Sequence, residues 1–97
     1  MIRHIVMWTL RDAADAPRFK ALLDSCKGLV PGMIEFEVGI RSEGLEANAD
    51  VVLVSTFADV TALDAYQVHP VHQEVKKFVV AVAESRECVD YIVDSAR

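Results

Sequence analysis

With 97 residues, 53% of them apolar, and a formal net charge of −5, the chain has room for one domain, read here as 1–97, and little bulk with which to bury a large core. The acidic balance excludes a nucleic-acid binder, which needs a basic face. No apolar run approaches the roughly 20 residues of a membrane span; the longest covers only 78–83.

Residues 2–10 alternate, with Ile2, His4, Val6, Trp8 and Leu10 on one face and Arg3, Ile5, Met7 and Thr9 on the other. The period is that of a strand, and both faces are apolar enough to be covered. Asp15-Ala16-Pro17 then reads as a helix start, an acidic cap followed by proline in the first turn. Phe19, Leu22, Leu23 and Cys26 recur at helical spacing until Gly28, and Pro31-Gly32 makes a turn.

A second strand follows over 33–40, with Ile34, Phe36, Val38 and Ile40 as its apolar face. The polar stretch 42–50 reads as a loop, and the β-branched residues of 51–57 as a third strand. Helical spacing returns over 61–68, where Val60, Leu63 and Tyr66 lie three apart. Pro70 disfavours helical geometry at His69, so the helix breaks there, and proline suits the first turn of the next helix. That helix runs to about residue 83 with Val71, Val75, Phe78, Val79 and Val82 as its buried stripe, and 87–93 alternates as a fourth strand.

Strand, helix, strand, strand, helix, strand is the ferredoxin-like βαββαβ pattern of an α+β fold. Helices cover one face of such a four-stranded antiparallel sheet. The other face is too apolar here to stay wet, so the sequence predicts a homodimer in which two sheets face each other as a dimeric α+β barrel. The N-terminus lacks a signal-peptide layout, and Cys26 and Cys88 show no paired spacing. The expected location is the cytoplasm.

The stretch 66–74 gathers Tyr66, His69, Pro70 and His72 at the break between the helices. His72 falls in the first turn of the second one, where the helix N-terminus and partial burial both disfavour a positive charge. A neutral imidazole there accepts a proton. Tyr66, on the inner side of the preceding helix, is placed to donate a hydrogen bond to a carbonyl or to His72. His4 shares a strand face with Trp8 and approaches His72 if that face meets the helices. Each residue has a plainer role available: Tyr66 as core, His72 as a capping or surface residue, His69 as linker, His4 as a satisfied core histidine. Together they point to a pocket. A zinc site of His4, His69 and His72 is the competing reading, but His69 leaves the helix and no carboxylate is placed to complete the set. No metal, no cofactor, no glycine-rich phosphate loop and no nucleophile elbow is expected.

Ile2-Arg3-His4-Ile5-Val6, Val30-Pro31-Gly32-Met33, Glu37-Val38-Gly39, Ala65-Tyr66-Gln67-Val68-His69-Pro70-Val71-His72 and Asp90-Tyr91 occur in an order and spacing that resembles the stress-responsive α/β-barrel (Dabb) family over nearly the whole chain. The resemblance implies a ferredoxin-like protomer, a homodimeric barrel and, in many members, no known activity. It extends at a distance to olivetolic acid cyclase, a plant member that closes a polyketide by aldol condensation without a cofactor. That similarity carries a catalytic role onto His72, Tyr66 and His4. Leu23 stands nearest to a further pocket tyrosine of the cyclase, which leaves this pocket one polar group poorer.

Three functions follow as expectations. The first is a pocket that binds a small apolar or carbonyl-containing molecule, lined by Trp8, Leu23, Val75 and Val79. The second is a cofactor-free enzyme of cyclase or isomerase type, or a monooxygenase, with His72 as base and Tyr66 as oxyanion donor. The third is a structural dimer with a closed core.

Overall fold

In the computed structural model, which describes residues 1–94, the N-terminal alternation becomes strand β1 (Ile2–Leu10). His4, Val6, Trp8 and Leu10 are buried on one face, and Met7 on the other is exposed. A 3-10 turn (Ala13–Asp15) leads into helix α1 (Ala16–Asp24). Asp15 stands at the expected N-cap of α1 but its side chain makes no capping bond; Asp12 caps the preceding 3-10 turn, its carboxylate accepting from the Ala14 amide at 3.0 Å. Asp12 has the extended backbone a capping residue needs, whereas Asp15 is already coiled.

Strands β2 (Met33–Ile40) and β3 (Val51–Phe57) follow, then helices α2 (Val60–Val68) and α3 (Pro70–Val82), and strand β4 (Ala83–Ile92). The sheet is antiparallel with order β2-β3-β1-β4, so the βαββαβ order expected from the sequence is the one found. The turn into β2 requires Gly32. Its φ is +88°, and a Cβ there would lie 2.9 Å from the Cβ of Ala62 on α2.

Local details depart from the periodicity. Ile34, expected beside Phe36 in the core, is exposed because the register shifts between Met33 and Glu35 at the sheet edge. Val60 and Val71 also stand exposed, each in the first turn of its helix, while Ala62, Leu63, Tyr66, Val75 and Val79 carry the burial. Strand β4 begins four residues earlier than its alternation suggests. Residues 83–86 have weak strand preference, and pairing with β1 extends the strand through them.

The helices pack on the face that carries His4, Trp8, Phe36, Leu53 and Phe57, and Phe19 of α1 meets Trp8 edge-on at 5.0 Å. On β4, Arg86, Cys88 and Asp90 lie opposite Trp8, Val6 and His4, yet they remain exposed at the sheet edge. On the far face, Met7, Val89 and Tyr91 are exposed and Ile5, Val52 and Val54 half-buried. No helix among the described residues is long and apolar enough to cross a membrane.

Candidate functional site

Proline builds the site by interrupting a helix. α2 ends at Val68, His69 is extended (φ −62°, ψ 135°), and Pro70 opens α3. The His69 ring turns back to cap the new helix, its Nδ1 accepting from the Val71 amide at 3.1 Å. An uninterrupted helix would have given the Gln67 carbonyl to the residue 71 amide. The break frees that carbonyl, and side chains of α3 take it: the Gln73 amide donates to it at 2.6 Å and the His72 ring at 3.1 Å. A carbonyl only accepts, so Nδ1 of His72 carries the proton and Nε2 is left as an acceptor when the ring is neutral.

The neutral ring is the favoured one. Burial lowers the His72 pKa below its ordinary 6.5, and the positive charges of Lys76 and Arg86 and the His4 ring lower it further. The hydrogen bond to the Gln67 carbonyl opposes the burial less strongly, though it outweighs each of those three charges.

Tyr66 is fully buried on α2, with its ring 4.5 Å from that of His72 and 6.5 Å from that of His4. Its hydroxyl has no hydrogen-bond partner among the described residues. Burial, with a smaller contribution from Cys26, pushes the phenol far above its ordinary value of 10.0, so it stays protonated and able to donate. Among the described residues the indole N–H of Trp8 is the other buried side-chain polar atom without a partner. Buried donors in this condition are uncommon and call for an explanation.

His4, 4% exposed, is held from the opposite side. Its Nδ1 donates to Oδ1 of Asp90 at 2.5 Å, across the β1–β4 pair that sets the two residues opposite each other. Both histidines thus have Nδ1 engaged.

These groups surround a cavity of about 200 Å³ between the sheet and helices α1 to α3. His4, Tyr66 and His72 all line it. So do the four apolar residues named from the sequence: Trp8, Leu23, Val75 and Val79. A cavity of roughly 150 Å³ accommodates benzene, so this one has room for a ring with a few added atoms. His69 is committed to its cap, which dissolves the histidine-only zinc set. Donor atoms of His4, Cys88 and Asp90 instead lie within 4.8 Å of one another, a nitrogen, sulfur and oxygen set in which His4 and Asp90 already satisfy each other.

Residues 2–93 match the family model described as Stress responsive A/B Barrel Domain, Dabb. The chain belongs to this family. A dimeric ferredoxin-like protein of unknown function from Jannaschia sp. CCS1 is 31% identical, over 95% of this chain and 98% of that one, with a TM-score of 0.79. A dimeric protein of unknown function and ferredoxin-like fold from Bacteroides fragilis is 27% identical over 95% of each chain, with a TM-score of 0.80. A hydroxynitrile lyase from Passiflora edulis shares the fold at 19% identity, over 99% of this chain and 95% of that one, with a TM-score of 0.79. No functionally curated protein sequence matches. Membership of the stress-responsive barrel family agrees with the fold, and the two solved relatives of unknown function just named are dimeric.

Within this family member, sequence reasoning missed Lys76, Arg86 and Gln67, which also line the cavity. Lys76 is one helical turn beyond His72, a spacing that brings side chains to one face and was available as a signal. Arg86 reaches the cavity only because β4 starts early and sets it opposite Trp8.

Proposed function

We propose that this family member is a homodimer that binds a small carbonyl-containing molecule in the cavity between sheet and helices. The observation that carries the reading is the Tyr66 hydroxyl, which is fully buried, protonated and without a partner beside a cavity of ring size. A ligand oxygen accepting from it supplies the missing hydrogen bond. The indole N–H of Trp8 offers a second donor, and Leu23, Val75 and Val79 provide apolar contact. The exposed apolar patch of Met7, Val89 and Tyr91 supports the homodimer, and the relatives from Jannaschia and Bacteroides fragilis are dimeric too. Two free cysteines suit a cytoplasmic location.

A second reading is favoured by the tautomer of His72. Its Nε2 is the acceptor beside a phenol donor, the pairing needed for cofactor-free proton transfer. The base takes a proton from the carbon next to a carbonyl. The C–H electron pair moves into the enolate, whose oxygen is held by Tyr66, and the proton returns from Nε2 at the end of the cycle. The likeness to the hydroxynitrile lyase concerns fold alone and carries no chemistry to this chain.

One experiment separates the readings. Phenylacetone in deuterated buffer is followed by NMR for binding, through the imidazole resonances, and for exchange of its protons next to the carbonyl. Saturable shifts with no exchange above buffer support binding alone. Exchange that falls at least tenfold in His72→Phe at equal folded concentration supports proton transfer. Absence of both at millimolar ligand overturns the proposal and leaves a closed structural core.

A further inference from the structure

We infer that the ligand of this cavity is an anion, a small oxo acid or related carboxylate, with Lys76 and Arg86 meeting its charge. The inference rests on the binding reading above and adds the chemical class. It starts from an imbalance. The chain carries 15 acidic and 10 basic side chains, yet the cavity lining holds Lys76 and Arg86 and no carboxylate. Asp90, which pairs with His4, is absent from the lining. Neither Lys76 nor Arg86 forms an ion pair among the described residues, a state they share with Arg11, Arg18 and Lys27, but of these only Lys76 and Arg86 line the cavity.

The inventory of hydrogen-bonding groups gives the same sign. An indole N–H, an ammonium and a guanidinium only donate. The Tyr66 phenol is held in its protonated form. Acceptors are present too, Nε2 of a neutral His72 or His4 ring and the side-chain oxygen of Gln67, but none of them carries a negative charge to balance Lys76 and Arg86. A cavity so rich in donors is complemented by a molecule rich in acceptors. The N-terminal turn of α3, which holds His72, adds positive potential from its backbone. Lys76 and Arg86 are exposed residues whose long side chains reach the cavity, so the ligand's charge lies toward solvent and its apolar part inward among Leu23, Val75 and Val79. A carboxylate against a guanidinium is the best-matched pair of planar groups.

The test uses two probes of equal shape, benzoylformate and its neutral amide benzoylformamide. Neither has a hydrogen next to the ketone, so binding is read without turnover. Calorimetric titration of the full chain at low salt is expected to give the carboxylate about tenfold or more tighter binding than the amide, the size of a charge-assisted contact. Raising the salt weakens the carboxylate alone. Arg86→Gln and Lys76→Gln each reduce the preference, and the double variant abolishes it. Both residues are exposed, so the variants keep the fold, checked by an unchanged melting temperature. Equal binding of the two probes, or a preference that survives the double variant, overturns the inference and leaves the binding reading intact. Failure of both probes to bind at millimolar concentration overturns both.

Discussion

The rings of Tyr66 and His72 stand 4.5 Å apart, centroid to centroid, and no hydrogen bond joins them. The imidazole is turned by Pro70 toward the Gln67 carbonyl, and the phenol is left with a hydroxyl that no described residue satisfies. A core built for stability alone would place phenylalanine at 66.

Tyr66→Phe is therefore expected to stabilise the protein, by about 1 kcal/mol, because it removes a buried donor whose desolvation is not repaid. For a domain of this size that corresponds to a rise of about 4–8 °C in melting temperature. Thermal unfolding at fixed protein concentration checks it, and a fall of similar size would show that the hydroxyl has a partner in solution. Ligand binding should weaken in the same variant.

The pH dependence of stability follows from His72. Its pKa in the folded state lies below the ordinary 6.5, so at lower pH the unfolded chain binds a proton that the folded one resists. Stability then falls as pH drops below about 6.5 and levels off once the folded pKa is passed. Above that window His72 contributes no slope. His72→Gln should flatten melting temperature against pH in this range relative to wild type. Parallel curves would refute the assignment.

His69 is predicted to matter for stability and not for the cavity. His69→Ala removes the acceptor for the Val71 amide and should cost about 1 kcal/mol, the usual loss at a helix cap. His69→Asn, which can cap, should restore most of it. Probe affinity should be unchanged in a folded His69→Ala protein, and a tenfold loss would place His69 in the site.

The far face of the sheet is expected to hold the dimer. Met7→Lys with Val89→Lys puts two charges onto it at little cost to the protomer, since both residues are exposed there. Association should weaken about tenfold or more, given the apolar burial lost. Sedimentation velocity at micromolar concentration should then show monomer for the variant and dimer for wild type. Identical profiles would move the interface elsewhere.

Much of this was legible in the linear pattern. Period-two and helical spacings place β1, β2, β3, α2 and α3, and the Tyr66–His72 stretch announces a helix break by its proline. His4, Trp8, Leu23, Tyr66, His72, Val75 and Val79 all reach one cavity as their faces imply. Illegible were features that depend on pairing. Ile34 leaves the core through a bulge, β4 starts at Ala83 because β1 is there to receive it, and Arg86 enters the lining for the same reason.

Alone, the sequence determined the βαββαβ order and most of the side chains that face inward, because burial follows the period of the local backbone except where a bulge or a first helical turn turns a residue out, as at Ile34, Val60 and Val71. The tertiary structure decided which partner each ring takes: Asp90 for His4, the freed Gln67 carbonyl for His72, and none among the described residues for Tyr66. The His72 partner lies only five residues away and is freed by the proline break, whereas the Asp90 partner comes from strand register, which brings together atoms that no local spacing relates.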